Sequence, residues 1–340
     1  MSRRARSRIR RGLLYLLFFG AAVHYLLPRL TSLEAASRVL RGLEDYWLFA
    51  AIAAQTFSYF SSGRLICSIV ELSDNAVTTR RGALITLGSN TVGTLGGGVL
   101  GTATACFRWV RKGGVATDAA TLSGWLPPTL KNCVLVGLSN WGFLVILLTH
   151  DLSLAMRIGV TLLLVVAASA LIGISWGLRH RERLSLTAER VMLTGNQLRF
   201  AKGLAAKASA ALRGLVESTA LLNDRRWRKP VLWSSLSVGF DALTLGLLFA
   251  AVGHPVSIGV LLAGYAVPQL LGKALFLPGG VGAVEGSMVA LYASLGVDPE
   301  VGVIVVLAYR VLSFWIPTLL GLIAAPYLER FATSRRPVAA

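Results

Sequence analysis

Leu277-Pro278-Gly279-Gly280-Val281-Gly282-Ala283-Val284-Glu285-Gly286 lies among apolar segments long enough to cross a bilayer. Pro-Gly-Gly interrupts a helix, and Glu285 places a carboxylate where hydrocarbon would exclude one. In lipid every backbone N–H and C=O needs a partner, so an irregular segment at that depth survives only when buried in protein or beside a wet cavity. The stretch therefore predicts a polar pocket inside a helical membrane bundle.

Composition agrees. Of 340 residues 54% are apolar, and the mean hydropathy of +0.65 excludes an ordinary soluble domain. Membrane-length apolar runs are Gly12–Leu27, Asp45–Ile69, Gly142–Thr149 with its upstream extension, Leu152–Trp176, Val231–Val252, Pro255–Leu277 and Val301–Pro326. The first continues to Pro28 without a small-residue cleavage site and reads as a retained span. The net charge of +18 is concentrated beside spans: six arginines precede residue 12, and Gly177–Lys229 holds twelve Lys/Arg against four acids. That positive-inside pattern predicts a cytoplasmic N-terminus and removes the need for a nucleic-acid partner. Cys67, Cys106 and Cys133 and the four scattered histidines lack metal-ligand spacing. No metal or other cofactor is expected.

The fold expected is an all-α polytopic membrane protein, a bundle of about 7–9 spans with two broken or re-entrant segments. Residues 1–340 form one membrane domain. Its first half, 1–176, is broken near 89–101, its second, 230–326, is broken at 277–286, and 327–340 is a polar tail. Ser89-Asn90-Thr91-Val92-Gly93-Thr94-Leu95-Gly96-Gly97-Gly98-Val99-Leu100-Gly101 fits two half-helices around a re-entrant break, because Arg80, Arg81, Arg108, Arg111 and Lys112 all look cytoplasmic. A glycine-rich span packed on its neighbours is the other reading. Thr121–Thr149, with Pro127-Pro128 and Lys131, is too long for one straight helix. It is expected to begin as a surface or half-buried helix. Residues 177–229 carry Leu184, Val191, Leu198, Ala205 and Leu212 every seventh position, as an amphipathic helical insert under the bundle would.

Leu95-Gly96-Gly97-Gly98-Val99 matches Leu277-Pro278-Gly279-Gly280-Val281 at a separation of 182 residues, and Trp125-Leu126-Pro127 resembles Trp315-Ile316-Pro317 after a small shift. Interrupted segments at corresponding places point to a site between pseudo-symmetric halves. Seven ionisable residues look embedded: Arg64, Arg108, Lys131, Asp241, Lys273, Glu285 and Arg310. Arg64, Arg108 and Lys273 lie near span ends, within reach of headgroups; Asp241 and Arg310 are more central. Glu285 stands in the first turn of its half-helix, where the dipole favours an anion. Glu285 and Arg310 either neutralise each other, or Arg310 receives a lipid phosphate while Glu285 holds it. Tyr265, Gln269, Ser287 and Tyr309 are available as polar lining. The candidate binding residues are Glu285, Arg310, Pro278, Gly279, Gly280, Gly282, Asn90, Arg108, Arg64, Tyr265, Gln269 and Tyr309, with no catalytic residue among them.

Phe276 to Gly286, then Ala308-Tyr309-Arg310-Val311-Leu312-Ser313-Phe314-Trp315, resembles the lysylphosphatidylglycerol synthase transmembrane-region family, which includes the flippase part of bacterial multiple peptide resistance factors. Ser89-Asn90-Thr91, Arg108 and Arg111-Lys112-Gly113-Gly114-Val115 add to the likeness, with Gly96 where relatives often place proline. The resemblance implies a lipid flippase-like fold acting on aminoacylated, polyprenyl-linked or hopanoid-related lipids. The lipid-aminoacylating members have a soluble catalytic domain that does not appear before Ala340, so enzymatic aminoacylation is not expected.

The function expected is binding or translocating an anionic or polyprenyl-type lipid, with membrane lipids as partners. The alternatives are a scaffold for a lipid- or envelope-synthesis enzyme, which would be its partner, and a membrane-embedded transferase. No paired carboxylates or metal cluster support the last. No Gly-x-x-x-x-Gly-Lys-Ser/Thr loop is present, which argues against direct ATP hydrolysis.

Overall fold

The computed structural model describes residues 45–149, 225–274 and 278–330, with isolated positions between 157 and 169. The predicted span Gly12–Leu27, nearly all of Leu152–Trp176, the amphipathic insert up to residue 224 and the tail beyond 330 lie outside the described residues. The helices are α1 (Asp45–Glu71), α2 (Thr79–Val92), α3 (Gly98–Arg111), α4 (Thr117–Thr149), α5 (Arg228–Ala251), α6 (Ile258–Ala274), α7 (Ala283–Ser294), α8 (Pro299–Arg310) and α9 (Ile316–Arg330). Among the described residues Thr117–Leu148, Arg228–Ala251 and Pro299–Arg330 are long and apolar enough to cross a bilayer, and Ile258–Lys273 is a shorter apolar helix.

The solvent logic is that of a membrane protein. Large apolar side chains face outward, with Leu148 77% and Ile323 71% exposed, while Gln55, Ser58, Ser61, Ser62, Ser234 and Ser237 are buried. Small hydroxylated residues let α1 and α5 approach closely and bond across the seam. Ser58 Oγ donates to Ser237 O, and the Ser62 and Ser237 hydroxyls share a bond, both at 2.8 Å.

The chain is built twice. An offset of 182 residues carries α1 onto 227–253, α2 onto 261–274, α3 onto 280–293 and α4 onto 299–331. Those ranges lie close to α5, α6, α7 and the continuous α8–α9 run. The packing repeats too. α1 lies on α5, while α2 lies on α9 and α6 on α4, so each repeat lends its last helix to the other's second. The central pair is antiparallel: Gln55 meets Asp241, Phe57 stacks on Phe240 at 5.6 Å, and Glu71 meets Lys229 at 3.5 Å. Antiparallel pairing of equivalent helices is the mark of an inverted repeat.

Both breaks turn a helix back on itself. The first is a π turn, Gly93–Gly97, ending at Gly98, whose φ of +54° and ψ of −152° suit only glycine. The Arg81 guanidinium then donates to Trp109 O at 3.3 Å, bringing the outer ends of α2 and α3 together. In the second hairpin Tyr292 OH donates to Leu261 O at 3.2 Å, joining α6 to α7 at nearly equivalent places.

Two expectations change. Thr117–Thr149 is one continuous helix of 33 residues despite Pro127-Pro128. Proline removes the N–H that would bond the carbonyl four residues earlier. Ser123 O, released by Pro127, accepts instead from Cys106 Sγ at 3.0 Å. The last long helix carries a π turn, Val311–Trp315, directly after Arg310. Pro317 leaves Ser313 O without its usual donor, and Tyr59 OH supplies one at 2.8 Å.

Candidate functional site

The two breaks meet. A Cβ added at Gly279 would lie against the Phe314 ring and 3.2 Å from Thr94 Cγ2, tying the second break to the π turns at 93–97 and 311–315. Gly279, Gly280 and Gly282 have φ of +63°, +66° and +84°, which no L side chain adopts cheaply. The chain thereby enters α7, and Glu285 closes one N–H of its start: Oε2 accepts from Gly282 N at 2.8 Å, the carboxylate half of a capping box, since glycine has no side chain to return the bond.

Glu285 Oε1 accepts from Arg310 Nε at 2.7 Å, and Arg310 Nη2 donates to Gly279 O at 3.1 Å. The guanidinium also lies 4.1 Å from the Phe314 ring centroid. The pair is deeply buried, Glu285 2% and Arg310 4% exposed. Of the two, Arg310 lines the adjoining cavity and Glu285 stands behind it.

That cavity, about 650 Å³, lies between the repeats and is lined by residues of all nine helices and both breaks. Its floor is Asp241. The carboxylate accepts from Gln55 Nε2 at 3.0 Å and from Tyr265 OH and Tyr309 OH, each at 2.8 Å. Gln269 Nε2 donates to Tyr309 OH at 2.9 Å. Among the described residues only neutral donors hold Asp241, whereas Glu285 holds an arginine. Lys131 and Lys273 also line the cavity, from the contact between α4 and α6.

The family model for the lysylphosphatidylglycerol synthase TM region matches residues 13–321. The chain belongs to this family. Among curated relatives, a UPF0104 membrane protein of Methanothermobacter thermautotrophicus is 34% identical over 87 residues, 26% of each chain. Another match to a UPF0104 membrane protein of that organism is 28% identical over 209 residues, 56% of this chain and 57% of the relative. A UPF0104 membrane protein of Methanocaldococcus jannaschii is 32% identical over 110 residues, 32% of this chain and 33% of the relative. The matched segments span about a quarter to just over half of these relatives. Family membership and the apolar helices make the chain a multi-pass membrane protein.

Within this family member the structure brings Arg310, Gly279, Gly280, Asn90, Tyr265, Gln269 and Tyr309 to one cavity. Gly282 shapes the break and Glu285 anchors Arg310, both behind the wall; Pro278 begins the 3₁₀ turn Pro278–Gly280. Arg64 and Arg108 lie elsewhere. Arg64 donates to Thr79 Oγ1 at 3.2 Å and covers the Trp233 ring. Arg108 pairs with Glu329 at 2.8 Å, beside Lys112 at 2.6 Å. Ser287, expected in the lining, instead donates to the carbonyl of Ala283 in its own helix. The described residues contain no group of three metal-ligating side chains. Tyr59 and Gln55 line the cavity without having been singled out, and Lys131, Asp241 and Lys273, noted only as embedded charges, line it too. The 182-residue offset could have found Tyr59, because it carries Tyr59 onto Asp241.

Proposed function

We propose that this protein binds and translocates a lipid with an anionic headgroup, of phosphatidylglycerol or polyprenyl-phosphate type, across the cytoplasmic membrane. The observation that carries the reading is the meeting of two interrupted hairpins at a polar cavity that holds an oriented guanidinium. The hairpins enter and leave on one side each, as re-entrant segments would, and the positive N-terminal segment stays in the cytoplasm. A charged headgroup cannot cross hydrocarbon alone at useful rates. Here it would exchange water for Arg310, the Asp241 cluster and hydroxyls, while its chains stay in lipid. Glu285 keeps the planar fork of Arg310 turned toward phosphate oxygens. The inverted repeat supplies two equivalent packings for opening to either leaflet.

The test is reconstitution into vesicles with a fluorescent phosphatidylglycerol or polyprenyl phosphate, followed by chemical quenching of the outer leaflet. Wild type should make the inner-leaflet pool accessible, and Arg310→Gln should slow this at least about tenfold, as loss of a charged hydrogen bond predicts. No movement of either lipid by folded wild-type protein would end the proposal.

A further inference from the structure

Lys131 and Lys273 form a second cationic station that the Arg310 site does not explain. Lys131 comes from α4 of the first repeat and Lys273 from α6 of the second, where these helices pack. Lys131 Nζ donates to Ser62 Oγ at 2.7 Å, and Lys273 Nζ donates to Asn132 Oδ1 at 2.6 Å, next in sequence to Lys131. Both lysines line the cavity. Among the described residues neither has a carboxylate at ion-pair distance. Each ammonium has three donors, so donors remain for a ligand. The lining is cationic in sum: Lys131, Lys273 and Arg310 face Asp241, with Glu285 neutralising Arg310 from behind.

The repeat sharpens the point. The offset carries Lys131 onto Ser313, and it carries Thr91 onto Lys273. Both counterparts line the cavity. Hydroxyls thus stand where symmetry would have put cations, and the lysines make one of two related walls electropositive. An acceptor is also left over. Gln55, 5% exposed and on the cavity wall, uses its amide N–H on Asp241, but its Oε1 has no partner among the described residues. A buried acceptor of this kind calls for a hydroxyl or amide donor from a ligand.

We propose that Lys131 and Lys273 together bind a phosphate group, with Gln55 Oε1 accepting from a hydroxyl beside it, and that this station selects anionic headgroups over aminoacylated, cationic ones. The proposal rests on the lipid reading above and specifies its headgroup. A lysyl or alanyl ester would bring an ammonium against two lysines that have no carboxylate partner among the described residues, and like charges within a few ångströms repel. Phosphate with a free glycerol hydroxyl satisfies both the lysines and Gln55.

The experiment measures equilibrium binding of fluorescent phosphatidylglycerol and of lysylphosphatidylglycerol to purified full-length protein in phosphatidylcholine nanodiscs. Inorganic phosphate serves as a soluble competitor. Wild type should bind phosphatidylglycerol at least about tenfold more tightly than the lysyl ester. Lys131→Gln and Lys273→Gln should each weaken phosphatidylglycerol binding about tenfold and narrow that preference, while Lys131→Arg retains it. Competition by inorganic phosphate alone would support the phosphate station with a water-soluble source; binding of the lipid without such competition would support the lipid. If Lys131→Gln does not fold, Lys273→Gln at its exposed position gives the same reading. Equal binding of both lipids by wild type, or an unchanged preference in folded lysine variants, overturns the proposal. If those variants still move lipid like wild type, the translocation reading stands and only the phosphate station falls.

Discussion

Replacing Glu285 by alanine tests the coupling between the break and Arg310 most severely. The carboxylate accepts from Arg310 Nε at 2.7 Å and from Gly282 N at 2.8 Å, and only the Gly279 carbonyl would then remain for the guanidinium. With Arg310 4% exposed, water cannot easily replace the lost acid. An uncompensated buried charge costs about 3–5 kcal/mol. Glu285→Gln keeps the shape and one acceptor, and loses the charge-assisted part, about 1.5–3 kcal/mol. Removing the cation as well, in Glu285→Gln with Arg310→Met, leaves no unpaired charge and should recover at least half of the alanine loss. Thermal unfolding in nanodiscs, followed by tryptophan fluorescence, should therefore rank wild type first and Glu285→Ala last, with the double variant closer to wild type than to alanine. An alanine variant as stable as wild type would refute this reasoning, as would a double variant no better than Glu285→Ala.

Tyr265→Phe and Tyr309→Phe each remove a donor from Asp241, and each should cost about 1.5–3 kcal/mol by thermal unfolding, with Asp241→Asn producing a comparable loss. Gly98→Ala meets no neighbour within 4 Å among the described residues, so its backbone, φ +54° and ψ −152°, is what opposes it; a loss of about 1–3 kcal/mol is expected in the same assay. Cysteines at Phe57 and Phe240, whose rings stack at 5.6 Å, should join with a short bifunctional thiol reagent in protein lacking Cys67, Cys106 and Cys133. Failure of that cross-link on gel electrophoresis would contradict the antiparallel seam.

The breaks were legible because glycine and proline act locally: Pro278-Gly279-Gly280 forces its turn wherever the chain lies. The repeat showed as a faint match around Gly96–Gly98 and Gly279–Gly280, since only backbone-critical positions resist substitution by other apolar residues. Glu285 and Arg310 stood out as charges at depth, but their pairing is a tertiary fact. The Asp241 cluster joins residues up to 186 apart in sequence, and no local pattern announces it. Arg64 and Arg108 were misleading because a cation near a span end reads alike whether it faces a cavity, a tryptophan or Glu329. The π turn at 311–315 contains neither glycine nor proline, and Pro317, which takes the usual donor from Ser313 O, lies beyond it. Pro127-Pro128 spoke against one straight helix, because the Cys106 donor that satisfies Ser123 comes from another element and has no local signature.

The central claim is a water-accessible polar cavity between the inverted repeats, and Asn90, exposed on its wall, reports on it directly. In vesicles holding a variant without the three native cysteines, Asn90→Cys should react with a membrane-impermeant maleimide from at least one side, and added phosphatidylglycerol should slow the reaction. An Asn90→Cys protein that is folded yet inert from both sides, while a cysteine at exposed Asp74 labels normally, would contradict it.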